Sequence, residues 1–177
     1  THGINDLRSF YINSRKQINV FADYATSKYL KNSFSYCFKS YSKEYPATLK
    51  LNKMNNKMYI DDKNKKISIK PISVDHGKVK SNCFIIDKKL AYISDISDIS
   101  NKDFKDFKNL KYLIIDCLGY NFHPSHFNLE KSLFFIKKFE PKKAILTNLS
   151  PVLDYNELKK KLPKNVVPAH DGLTINL

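Results

Sequence analysis

The chain has 177 residues, enough for one compact domain with a real core, and its 42% hydrophobic and 13% aromatic content excludes a disordered protein. No apolar run approaches the roughly 18–20 residues needed to span a bilayer, which excludes an integral helical membrane protein. The net charge of +14 raises nucleic acid as a partner, but nearly all of it is Lys, with Arg only at Arg8 and Arg15, spread along the chain as a solvated basic face.

The opening THGINDLRSF lacks an initiator Met and a charged-then-apolar leader pattern, and reads as the start of a chain cut from something longer. INVFAD (18–23) followed by ATSKYLKNSF predicts a strand, a capping turn and a short helix. Residues 39–66, rich in Asn, Lys and Asp, are the least ordered stretch and hold short strand candidates. From Ile67, ISIKPISV alternates, and Pro71 marks an edge or a bulge. CFIID and LAYIS flank Lys88-Lys89 as a hairpin.

A polar helix is expected in NKDFKDFKNL, and YLIID has the composition of a strand buried on both faces. The loop CLGYNFHPSHF leads to a helix over NLEKSLFFIKKFE, with Leu129, Leu133 and Ile136 on one face. KKAILTN is another buried strand. DYNELKKKL opens on Asp154 with Glu157 three residues on, a capping-box pattern. Strands first and strand–helix alternation later predict an α/β domain, one unit over 1–177, with helices packed on a sheet. The three cysteines, Cys37, Cys83 and Cys117, form no CxxC pair and read as free thiols in a reducing cytoplasm.

The strand ends carry the chemistry. His76 closes one strand, Asp95 follows the hairpin, Asp116 closes YLIID and Asn148 follows AILT, and polar groups gathered at one sheet edge make the usual site of an α/β protein. An imidazole and a carboxylate are ligand types for a divalent metal. Each has a plainer reading: His76 as a turn or core histidine, and Asp95 as a helix N-cap. Together they supply two ligands, short of the three or four that zinc requires.

In order along the chain, HGINDLR, VDHG, LAYISD, IIDCL, HPSHFNLEKSL, AILTN and PAHDG resemble the metallo-β-lactamase-fold hydrolases, in the branch akin to the carbon–phosphorus-lyase-associated phosphodiesterase. The resemblance implies an αββα four-layer sandwich, incomplete on its N-terminal side. In that family an HxHxDH motif lies just before residues like these, so the chain would be the C-terminal two-thirds of a domain whose ligand-rich loop precedes Thr1. It implies His76 as a ligand of one of two zinc or manganese ions and Asp95 as the carboxylate bridging both. The family's last histidine ligand falls at Asn148, and the histidine sometimes found two residues on is Ser150, leaving Asn148 as a degenerate metal position. His123 and His126 fall in the loop that faces substrate in such relatives, for phosphate contact or proton transfer. The alternative is a loop whose histidines are satisfied locally.

The activity so implied is metal-dependent hydrolysis of a small or nucleotide-like phosphodiester, with water activated between two divalent ions. Alone, the chain is expected to bind the ions weakly or not at all and to be inactive. The departures at Asn148 and Ser150, with the charge of +14, support another reading: a degenerate, non-catalytic member binding nucleic acid or protein through its basic surface. A homodimer is expected from the relatives alone.

Overall fold

The computed structural model describes residues 2–62 and 65–177. Its contacts group into two compact units, Thr1–Asn55 and Asn56–Leu177, each with its own apolar core.

In the first unit, a 3₁₀ segment, His2–Leu7, runs into α1 (Arg8–Ser14). β1 (Ile18–Ala22) and β2 (Leu49–Lys53) pair in parallel, with Ile18 opposite Leu49. Parallel neighbours need a crossover, which α2 (Tyr24–Ser33) and α3 (Ser35–Phe38) provide. The turn into α2 is written locally: Asp23 sits extended and its carboxylate accepts from the Thr26 N–H at 2.8 Å. Leu30, Phe34 and Cys37 bury their side chains with Leu49.

The second unit is built on a seven-stranded sheet in the order β3 (Met58–Asp62), β4 (Lys65–His76), β5 (Val79–Ile86), β6 (Leu90–Ile93), β7 (Tyr112–Asp116), β8 (Lys143–Thr147), β9 (Val166–Pro168). The strands from β3 to β6 pair antiparallel and those from β6 to β9 pair parallel. The hairpin expected around Lys88-Lys89 forms, with Ile86 opposite Leu90 and a three-residue loop that begins one residue earlier, at Asp87; Asp87 and Lys88 both take positive φ (50° and 53°). Pairing with β3 stops at Ile69, so β4 is locally an edge at Pro71, where a missing N–H is tolerated. β7 buries Leu113 and Ile115 fully on one face, while Tyr112 and Ile114 on the other are only partly buried, so the burial on both faces expected from its apolar text is met on one. This is the mixed α/β architecture expected from the sequence, a large sheet with helices.

Two helical details differ from the reading of the sequence. NKDFKDFKNL forms only a 3₁₀ turn, Asn101–Asp103, and one turn of helix, α4 (Phe104–Phe107). Asn109 at φ 57° ends the segment, its N–H donating to the Phe139 carbonyl at 2.9 Å while Phe107 fills the core. In α5 (Leu129–Phe139) the deepest face is Ser132, Phe135, Ile136 and Phe139, with Leu129 and Leu133 only partly buried. The aromatics set that rotation: Phe139 stacks on Phe107 at 5.1 Å and Phe135 on Phe127 at 5.0 Å between ring centres. Truncating Phe139 to Ala would cost about 3–5 kcal/mol. α6 (Tyr155–Lys161) is capped by Asp154, which accepts from the Glu157 N–H at 2.9 Å, while the Glu157 carboxylate pairs with Lys160.

Candidate active site

Because β4 is antiparallel to β5, and β5 to β6, β4 runs in the same direction as β6, β7 and β8. Their C-terminal ends therefore share one edge of the sheet, where α/β folds place their sites. His76 is the last residue of β4, Asp116 the last of β7, and Asp95 and Asn148 follow β6 and β8. The segment after β6 is tied back to β4: the Asp75 N–H donates to the Asp98 carbonyl at 3.0 Å and the Ser97 N–H to the Asp75 carbonyl at 2.7 Å. No helix starts at Ile96, which is buried, so the reading of Asp95 as a helix cap does not hold.

One nitrogen each of His76 and His126 and one oxygen of Asp95 lie within 4.8 Å of one another. Both rings have Nδ1 committed to a hydrogen bond. His76 Nδ1 lies 2.7 Å from the Ser125 carbonyl oxygen, which can only accept, so Nδ1 carries the proton and Nε2 a lone pair. Gly77 is what lets that loop come so close. It sits at φ +61°, and a Cβ there would stand 2.5 Å from Ser125 Oγ. Its N–H donates to Ser97 Oγ at 2.9 Å, holding the turn against the segment after β6.

His126 Nδ1 lies 2.8 Å from Oδ2 of Asp116, a carboxylate with no exposed surface. Asp116 Oδ2 also accepts from the N–H groups of Ile96 and Phe127, each at 3.3 Å, and Oδ1 from Asn148 Nδ2 at 3.0 Å. Burial pushes the Asp116 carboxyl above the usual carboxylate range, and the Asn148 and His126 hydrogen bonds pull it back. Its backbone carbonyl accepts from Ser132 Oγ at 2.6 Å, which seats the first turn of α5 on the end of β7.

Asn148 adopts φ 61°, a left-handed conformation asparagine tolerates, and turns its amide nitrogen to Asp116 and the Ser94 carbonyl. Ser150 donates its N–H to Leu118 and lies by Gly119. His123 accepts at Nδ1 from the Ser125 N–H at 3.2 Å, and its ring centre lies 5.2 Å from that of His126. Beside His126 is a small cavity of about 140 Å³ lined by Ser97, Phe122, His123 and Lys131. The sequence singled out Asp116 as a strand end without a role; its pairing with His126, ten residues on, is a tertiary contact with no local signature.

The family model described as the beta-lactamase superfamily domain matches residues 1–147. The chain belongs to that superfamily. Solved structures of the metallo-β-lactamase fold align along nearly its whole length. A new diphosphatase from the PhnP family has a TM-score of 0.85 at 24% identity, covering 99% of this chain and 66% of that one. The metallo-β-lactamase-fold protein YhfI from Bacillus subtilis has a TM-score of 0.70 at 15% identity, covering 97% and 70%. Zn²⁺-bound PqqB from Methylobacterium extorquens has a TM-score of 0.71 at 12% identity, covering 98% and 69%. The chain thus spans about two-thirds of the length of these structures. None of the curated proteins compared is similar enough to match. These TM-scores establish the metallo-β-lactamase fold. Among the described residues no helix is long and apolar enough to cross a membrane.

The donor set fits one divalent ion in part. His76 presents Nε2 and Asp95 a carboxylate, two positions of the four that zinc favours, with the His126 imidazole close beside them. For a second ion the set is thin, because the group at Asn148 is an amide whose nitrogen faces Asp116.

Proposed function

We propose that this domain serves metal-dependent hydrolysis of a small or nucleotide-like phosphodiester in the cytoplasm, with His76 and Asp95 as ligands of a zinc or manganese ion. The observation that carries the reading is the convergence of His76, Asp95 and His126 within 4.8 Å at one sheet edge of a beta-lactamase-superfamily chain. A divalent ion at such a site supplies Lewis acidity toward a phosphoryl oxygen and acidifies water.

The chain's own residues then have distinct tasks. The Ser125 carbonyl fixes the His76 tautomer that can ligate. The Asp116 carboxylate holds His126 through Nδ1, which leaves Nε2 as the nitrogen that passes a proton to the leaving oxygen. His123 and Lys131, around the small cavity, offer positive or donor groups to a phosphate. Asp95 is the carboxylate ligand beside them, with Ser94 Oγ donating to it at 2.8 Å. Three buried thiols without a disulfide support the reducing compartment.

The test is hydrolysis of bis(4-nitrophenyl) phosphate with millimolar Zn²⁺ or Mn²⁺, at which a weak site fills by mass action. Turnover lost in His76→Ala and Asp95→Asn supports the reading. Absence of turnover at saturating ion overturns it for this chain.

A further inference from the structure

At the far end of β4 from His76, about 20 Å along the strand at the usual rise per residue, a second cavity opens with a different chemistry. Its volume is about 580 Å³, and five lysines line it: Lys57, Lys70, Lys88, Lys105 and Lys108. The one carboxylate in the lining, Asp106, is paired with Lys70 at 2.7 Å. Asp87, just behind, spends Oδ1 on the N–H and hydroxyl of Ser68. Lys57, Lys88, Lys105 and Lys108 are exposed and make no ion pair among the described residues.

The cavity continues onto an aromatic platform. In the β3–β4 register Tyr59 stands opposite Ser68, and directly opposed residues of an antiparallel pair point to the same face. Ser68 lines the cavity, so Tyr59 shares its face. Tyr59 is 49% exposed, with Lys57 Nζ 5.1 Å and Lys66 Nζ 4.8 Å from its ring centre. An exposed aromatic residue with two ammonium groups close to its ring, beside a row of unpaired lysines, pairs a stacking surface with an electrostatic track for a phosphate chain. The lysines act as point charges without the planar fork that reads bases or clamps a single phosphate, which suits a backbone followed without sequence preference.

We infer that this face of β3 and β4, with the lysines of the α4 segment, binds single-stranded nucleic acid, a base stacking on Tyr59 and the following phosphates crossing the lysine-lined cavity. The site is separate from the cluster at the opposite end of β4, and it stands or falls apart from the hydrolysis reading.

The experiment is fluorescence anisotropy of the full chain with a labelled twelve-nucleotide oligouridylate at several salt concentrations. Two charge-matched triple variants are compared: Lys57→Glu/Lys88→Glu/Lys105→Glu at the cavity, and Lys159→Glu/Lys161→Glu/Lys164→Glu elsewhere. The cavity variant should bind more than tenfold more weakly and lose about 2 from the log–log salt slope, three contacts at roughly 0.7 each. The second triple should stay within about threefold of the parent. Tyr59→Ala should weaken binding about tenfold at an unchanged slope, and Tyr59→Phe should restore it. Equal losses in both triples, an unaffected Tyr59→Ala, or displacement of the strand by inorganic polyphosphate as readily as by unlabelled RNA would each overturn the inference.

Discussion

His126 Nδ1 and Asp116 Oδ2 lie 2.8 Å apart, one at the loop before α5 and the other at the buried end of β7. That contact fixes which ring nitrogen faces His76 and Asp95, and it couples the sheet to the one loop that carries two histidines. Asp116→Asn keeps the shape and removes the charge, leaving several donors around a weaker acceptor. The variant should lose about 2 kcal/mol of stability, and His126 should shift from the Nδ1–H tautomer toward a mixture. Urea denaturation and long-range ¹H–¹⁵N spectra of the histidine rings read the two effects separately.

The two imidazoles should part company in metal binding. His76→Ala removes a ligand and should weaken Co²⁺ affinity well beyond tenfold. His126→Ala, acting on proton delivery, should leave affinity within about threefold while abolishing turnover, a loss of about 10²–10⁴-fold for a general acid. Equal losses of affinity, measured by Co²⁺ absorption, would make His126 a ligand instead.

Gly77→Ala is strained twice, by φ +61° and by the approach of Ser125 Oγ to 2.5 Å from the added Cβ. A cost of about 1–3 kcal/mol is expected, together with release of the Ser125 carbonyl from His76. The urea midpoint measures the first, and loss of the fixed His76 tautomer in ring ¹⁵N spectra the second.

Burial pushes the Cys83 and Cys117 thiols up to about 12. Unfolded, a thiol ionises near 8.5, so the folded state holds protons that the unfolded state releases. Their contribution to stability is intact below about pH 8.5 and falls as pH rises toward 12, by about 1.4 kcal/mol per thiol per pH unit. Between pH 8 and 10 the folded chain should resist Ellman's reagent at both positions. In Cys83→Ala the decline of stability with pH should be shallower.

Much of this was legible because local chemistry wrote it. Asp23 and Asp154 each cap the helix that follows through a side-chain oxygen, as their sequence context implies. His76, Asp95, Asp116 and Asn148 were legible as strand ends, and parallel strand direction gathered them at one edge. What the text could not give were contacts made across the fold. The Asp116–His126 bond, the Ser125 carbonyl on His76 and the amide nitrogen of Asn148 facing Asp116 all depend on how loops after different strands meet. The rotation of α5 escaped for a similar reason, since Phe135 and Phe139 find their partners, Phe127 and Phe107, only after packing.

On the proposed function, His76 and Asp95 form a divalent-ion site in this domain. Zn²⁺ titration followed at the histidine ring nitrogens tests it most directly. His76 Nε2 is expected to shift on weak, saturable binding, and Asp95→Asn to remove the shift. A His76 Nε2 resonance unmoved at millimolar Zn²⁺ would contradict it.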